Sequence, residues 1–169
     1  SKVVFMPFSF GGGIRTVDDA NIRIRSGADK IVINSLIFDS VNTVSKIIKI
    51  LGSQAVVASI DYKIENGSPM VYSNSGKKKI KKNLFEIVKY CEDLGVGEIF
   101  VQNIDLDGAS MGYDINILEE VVKKSKLPVV ACSGAGNDFH FKDVAKINDI
   151  SGIAAGNFFN FSERSYPRV

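Results

Sequence analysis

Histidine occurs once in the 169 residues, as His140, and that scarcity removes several chemistries at once. It excludes a histidine-rich metal site and argues against a Ser-His-Asp relay. Cysteine is nearly as rare. Cys91 sits in a helical pattern and Cys132 at a strand end, without CxxC spacing. Neither a disulfide framework nor a metal site is expected, and a reducing cytoplasm is the expected compartment. An excess of one charge is also missing: 21 Lys and Arg against 19 Asp and Glu leave a net charge of +2. That is too little to imply a nucleic-acid partner or a membrane surface. No apolar run approaches the roughly 20 residues that span a bilayer, and the N-terminus does not read as a signal peptide. No cofactor is expected. With 45% hydrophobic and 24% charged residues, the chain reads as one globular domain able to bury a core.

What is present is organised around Ser9-Phe10-Gly11-Gly12-Gly13-Ile14-Arg15. The apolar run Val3 to Phe8 drives into three glycines and a helical pattern follows, which reads as strand, bare turn and helix start. Glycines let a phosphate approach the backbone, and a helix N-terminus adds partial positive charge. Some twenty residues on, Ile33 runs into Asn34-Ser35, two small hydrogen-bonding side chains expected at the same rim. The arrangement recurs roughly 120 residues later, where Val129-Val130-Ala131 runs into Cys132-Ser133-Gly134-Ala135-Gly136, and Gly152-Ile153-Ala154 into Ala155-Gly156-Asn157. Two such cradles suit a ligand with a phosphate at each end.

Strand patterns alternate with helix patterns, which predicts a parallel sheet with helical crossovers. Strands are expected near 3–9, 29–34, 55–61, 98–104, 128–132 and 152–156, and helices near 16–26, 40–51, 82–94, 114–125 and 137–147. The strands are nearly continuously apolar, as expected when both faces are covered. Thr16 is an expected N-cap, with Asp18 and Asp19 in the first turn, and Gly27, Gly52 and Gly95 mark helix ends. Ile64 to Lys79 interrupts the rhythm, and Asn66-Gly67 predicts a hairpin there. Polar residues gather just after the strands, the active-site rim of an α/β barrel. A closed (β/α)8 TIM barrel needs eight strands and six are visible. The expectation is therefore an incomplete barrel holding about strands 3 to 8, with residues 1–169 as a single partial domain lacking the N-terminal βα units and the C-terminal helix.

Several residues carry two readings. Asp61, at the end of an apolar run, serves equally as a turn cap or as an acid–base carboxylate. Asp105 beside Asp107-Gly108 reads as a turn residue and is left out of the site. The run Lys77-Lys78-Lys79 with Lys81-Lys82 reads as a solvated hairpin face. Cys132 reads as a small apolar filler and His140 as a surface helix residue.

The chain resembles the cyclase subunit of imidazole glycerol phosphate synthase. The resemblance rests on GGGIR at 11–15, GADKIVINS at 27–35, GSQAVVASID at 52–61, NSGKK at 74–78, GVGEI at 95–99, NIDLDGASMGYD at 103–114, SGAG at 133–136 and AAGNFF at 154–159. It implies a (β/α)8 barrel paired as a heterodimer with a glutaminase (glutamine amidotransferase) subunit that supplies ammonia. It implies an enzyme, a lyase of histidine biosynthesis that cyclises a bisphosphorylated ribulosyl-aminoimidazole carboxamide. Asp61 then matches one of two acid–base carboxylates, the other lying on the first strand of such barrels. Gly13, Asn34 and Ser35 match one phosphate site, and Asp107, Gly108, Gly134, Ala155 and Gly156 the other. Ser75 matches the loop over the substrate. Lys30 and Glu98 match part of a charged gate for ammonia, a role resting on the resemblance alone.

The chain also departs from that pattern. Gln102-Asn103 stands in place of Thr-Ser, Cys132-Ser133 in place of Ser-Gly, and the segment from Phe141 to Ile153 is short. The ending AAGNFFNFSERSYP resembles a paralogous group associated with amidating sugars of bacterial surface polysaccharides. The alternatives are thus an ammonia-dependent amidation subunit, or an inactive fragment that binds phosphate.

Overall fold

Strands of three to ten residues alternate with helices, apart from one run of three consecutive strands, along the computed structural model, which describes residues 6–161. The order is β1 (Ser9–Gly11), α1 (Val17–Arg25), β2 (Lys30–Ile33), α2 (Ser35–Asp39), α3 (Val41–Leu51), β3 (Val56–Glu65), β4 (Ser68–Ser73), β5 (Lys78–Asn83), α4 (Leu84–Leu94) and β6 (Glu98–Asn103). It continues with α5 (Ile115–Lys124), β7 (Val129–Cys132), α6 (Asp138–Ala145), β8 (Gly152–Ala154) and α7 (Asn157–Phe161). Strands β1, β2, β3, β6, β7 and β8 lie side by side, all parallel, while β4 and β5 extend β3 as an antiparallel meander. This is the arc of an incomplete (β/α)8 barrel, the fold that the alternating pattern predicts.

The arc holds together by burying one face of each strand under the helices. Ile31 and Ile33 on β2, Ala58 and Ile60 on β3, Ile99 and Val101 on β6, and Val129 and Ala131 on β7 are almost fully buried. They join Val44 and Ile47 of α3, Ile87 and Cys91 of α4, and Leu118 and Val121 of α5 in one core. Each such isoleucine or valine contributes about 1.5–3 kcal/mol of burial. The intervening positions are less buried, so these strands are not covered equally on both sides. Lys30, Ser59, Asp61, Glu98, Gln102 and Cys132 stand on this second, concave face.

Helix ends follow the local chemistry. Thr16 caps α1 in a reciprocal box with Asp19, and Asn83 caps α4 in the same way with Glu86. Gly52 and Gly95 end α3 and α4 with positive φ, and Gly27 follows α1. Asn66-Gly67 (φ 49° and 76°) turns β3 into β4, the left-handed pair that a two-residue hairpin requires.

Some elements differ from expectation. The expected strand at 3–9 partly precedes the described residues, and within them β1 starts only at Ser9. Phe8 bridges to Asp29 through its N–H (2.7 Å) and carbonyl (2.8 Å), so the regular ladder begins one residue later. Gly11 belongs to that ladder, leaving Gly12 and Gly13 as the turn. Strand β3 does not stop at residue 61. It runs on to Glu65, because antiparallel pairing with β4 takes over beyond the point where parallel pairing with β2 ends, and β6 stays paired on the other edge as far as Tyr62. The lysine run is solvated on the hairpin, as expected, and most of it forms a regular strand, β5, held in place by β4 rather than by any apolar pattern of its own. The short helices α2 and α7 had no signal in the spacing.

Candidate active site at the C-terminal rim

The parallel ladder places a row of side chains across the rim. Asp61 is in register with Gln102, Gln102 with Cys132, and Cys132 with Ala154. Neighbours in register share a face, so Asp61, Gln102 and Cys132 look onto the same concave surface. Asp61 lies where β3 leaves the barrel wall and enters the hairpin. Burial there raises its carboxyl pKa to about 6; hydrogen bonding from Ser59 and Asn34 works against that rise, and the nearby Asp107 charge adds to it. An acid with that pKa exchanges protons in both directions near neutral pH. The turn-cap reading of Asp61 therefore loses its basis, since the residue sits within a strand and caps nothing.

One end of the row opens into a cavity of about 850 Å³. Its walls include Gly12, Gly13, Asn34, Ser35, Asp61 and Ser75, with Arg15, Ser73, Asn74 and Lys78 beside them. Gly12 and Gly13 adopt φ of +94° and +70°, and a Cβ on either would meet nothing within 4 Å. The two glycines are thus required by backbone conformation, and they leave open space in front of the chain. Asn34 Nδ2 donates to the Ser59 carbonyl (3.0 Å), and Ser35 Oγ lies 3.3 Å from Asn34 Oδ1. Ser35 Oγ also accepts the Asn74 N–H (3.0 Å), tying the hairpin tip to the cradle. The N–H groups just ahead of α1 are already engaged. Asp19 Oδ2 takes the N–H groups of Arg15 (3.0 Å) and Thr16 (2.9 Å), so the cradle consists of the glycine turn and the Asn-Ser side chains.

Around the rim the loops after β6, β7 and β8 pack against one another. A Cβ on Gly134 would lie 2.0 Å from the Gly112 carbonyl oxygen, and Gly112 N–H donates to Gly134 O (2.8 Å). A Cβ on Gly108 would lie 3.0 Å from Asn157 Nδ2, which brings the Asp107-Gly108 turn to the start of α7, beside Ala155 and Gly156. All five residues of the second expected cradle are therefore at one end of the sheet. Gln102 Nε2 reaches Asp107 Oδ2 at 3.5 Å and links that cradle to the Asp61 row. Asp105 pairs instead with Lys63 (3.1 Å), consistent with its turn role.

Two residues read as inert are drawn into this region. His140 is not simply a surface helix residue, because its Nδ1 accepts the Gly136 N–H (3.0 Å) inside the SGAG loop. Cys132 faces the row rather than filling the helix side. Burial raises its thiol pKa, while the adjacent Ser133 hydroxyl and N–H pull it down. Ser133 itself takes φ +86°, a conformation that glycine adopts without strain. At the opposite end of the strands, Lys30 and Glu98 form an ion pair across β3 on the concave face.

A family model described as "Histidine biosynthesis protein" matches residues 1–165. The chain belongs to this family. It is 38% identical over 167 residues to "Imidazole glycerol phosphate synthase subunit HisF" of Hydrogenobaculum sp. (strain Y04AAS1), covering 98% of this chain and 66% of that protein. It is 38% identical over 160 residues to the protein of the same name from Saccharolobus solfataricus, covering 95% of this chain and 64% of that protein. A third relative of that name, from Natranaerobius thermophilus, is 39% identical over 169 residues, 100% of this chain and 67% of its own length. The chain thus spans about two thirds of the length of the relatives it matches.

Within this member of the histidine biosynthesis family, sequence reasoning missed Ser59, Arg15, Ser73 and Lys78 as cavity residues. Ser59 was findable, since it precedes Asp61 by two and a strand returns to the same face every second residue. The hairpin residues were not, because only the folded meander brings them over the glycine turn.

Proposed function

We propose that this chain is the cyclase-type part of an imidazole glycerol phosphate synthase, in which ammonia and a bisphosphorylated ribulosyl-aminoimidazole carboxamide meet at the C-terminal rim. The observation that carries the reading is Asp61, a carboxyl held near pKa 6 in a row flanked by two glycine-lined cradles. In this reading Gly13, Asn34 and Ser35 hold one phosphate. Asp107, Gly108, Gly134, Ala155 and Gly156 shape the other site, with the Asp107 carboxylate orienting donors rather than meeting the anion. Ser75 covers the substrate from the hairpin. Ring closure requires protons to reach the oxygen that leaves as water and to leave the nitrogen that ammonia supplies. Asp61, protonated in about half of the molecules at pH 6, serves both directions.

A glutaminase subunit supplies the ammonia in this reading, entering at the Lys30–Glu98 end. The partner carboxylate of Asp61 lies in the part of the barrel that the relatives carry beyond the matched stretch. The names of those relatives and the family match support this assignment. A second reading has a specific observation in its favour: of the departures from the histidine-pathway pattern, Gln102 stands directly beside Asp61 in the row and Cys132 next beyond it. They fit an ammonia-dependent subunit acting on a different acceptor, such as a sugar of a surface polysaccharide.

Calorimetry on the intact protein tests the two-cradle geometry. A bisphosphorylated substrate analogue is expected to bind at least about 100-fold more tightly than either monophosphate half. Equal affinities would remove the proposal. Turnover of the ribulosyl-aminoimidazole carboxamide with added ammonia separates the first reading from the second.

A further inference from the structure

The first cradle presents only neutral donors, yet a phosphate carries up to two negative charges, and a charge taken out of water needs a partner. Among the residues lining the 850 Å³ cavity, the cations are Arg15 and Lys78, set against Asp39 and Asp61. Lys78 opens β5 and stands directly opposite Ser73 of β4 in the antiparallel ladder, so the two side chains project to the same face. Lys78 Nζ meets Asp39 Oδ1 at 3.2 Å, and both side chains are more than half exposed. Such a pair is weak and readily exchanged. Ser73 is 1% exposed, and its Oγ has no hydrogen-bond partner among the described residues. A buried hydroxyl without a partner is unusual in a folded protein, and this one borders the cavity.

We infer that Ser73 and Lys78 are the second arm of this phosphate subsite, Lys78 supplying the countercharge and Ser73 a hydroxyl donor from the hairpin side. The inference rests on the reading that Gly13, Asn34 and Ser35 take a phosphate. Asp39 holds the ammonium at the mouth when no anion is present. An arriving phosphate competes with Asp39 for Lys78, and the Asn74 N–H bond to Ser35 Oγ keeps the hairpin tip over the glycine turn throughout. Ser35 Oγ accepts the Asn74 N–H and donates to Asn34 Oδ1 (3.3 Å), so an arriving anion draws the Ser35 proton away from Asn34.

The test is a titration of the intact, isotopically labelled protein with inorganic phosphate, following the Gly12 and Gly13 amides by NMR, with the Gly134 and Gly136 amides as an internal reference. Lys78→Met is expected to weaken phosphate binding at Gly12 and Gly13 about tenfold, Lys78→Arg to restore most of it, and Ser73→Ala to weaken it a few-fold. Asp39→Asn is expected to tighten binding, since it removes the competitor for Lys78. The opposite signs are decisive. If the Lys78–Asp39 pair only braced the hairpin, Lys78→Met and Asp39→Asn would act in the same direction, and that outcome overturns the inference. Unchanged affinity in Lys78→Met overturns it too while leaving the cradle intact. Absence of any phosphate response at Gly12 and Gly13 in the unsubstituted protein overturns the cradle reading, and the second arm with it.

Discussion

Replacing Asp61 with asparagine changes stability and activity in ways that the structure separates by pH. The native carboxyl titrates near pH 6 against an ordinary value of 3.8. Between those values the unfolded chain is ionised and the folded one is protonated, so folding takes up a proton and native stability falls as pH rises. At about 1.4 kcal/mol per pKa unit, the ionised carboxylate costs roughly 3 kcal/mol once the pH exceeds 7. Burial is the main cause of the shift, and asparagine keeps the shape without the charge. The variant is therefore expected to match the native protein below pH 4 and to exceed it by about 2–3 kcal/mol at pH 8. Urea denaturation of the intact protein at pH 4, 6 and 8 measures this directly. Activity is expected to move the other way. With the titratable group gone, ammonia-dependent turnover falls at least about 100-fold, while substrate affinity stays within a few-fold because the cradles are untouched. A stability difference that does not vary with pH would refute the buried-acid account. Normal turnover with added ammonia would refute the catalytic one.

Other expectations follow from single contacts. Gly134→Ala forces a Cβ to within 2.0 Å of the Gly112 carbonyl at φ +97°, so a loss of at least about 2 kcal/mol is expected in denaturant titration, together with weaker binding at the second cradle. Thr16→Ala opens the capping box of α1 and is expected to cost about 1 kcal/mol, read as a shift in the urea midpoint without a change in slope. Lys30→Met breaks the pair with Glu98. Its expected effect on stability is under about 1 kcal/mol, whereas glutamine-driven turnover should fall more than turnover with added ammonia if that end admits the ammonia.

Most of the barrel wall was legible because each stave declares itself locally. Apolar runs such as Ala55 to Ile60 end at polar rim residues, and Thr16, Gly52 and Gly95 mark helix limits with their own chemistry. The site was legible in outline for the same reason: glycines and small polar side chains fall at strand ends. What escaped were features that depend on a distant partner. The β5 lysines become a strand only because β4 offers a ladder. The N–H groups before α1 look available until the Asp19 carboxylate is seen folding back on them. His140 reads as a helix surface until its ring is found holding the Gly136 amide. Asp61 was expected at a strand end, and the strand in fact continues because the hairpin recruits it.

That continuation has a mechanical consequence. In a barrel whose rim segments are separate loops, a flap can swing while the wall stays still. Here the first leg of the flap is the wall itself, since Val56 to Glu65 is one unbroken strand with Asp61 partway along. A force on the Asn66-Gly67 end is carried along a pleated ribbon to the carboxyl group five residues before Asn66, as in a cantilever clamped at its root. The arrangement also limits how the flap can be rebuilt. Adding or deleting one residue between Asp61 and Asn66 would reverse which side of the ribbon each later side chain occupies, so changes of length must come in pairs to keep Ser73 and Lys78 facing the glycine turn.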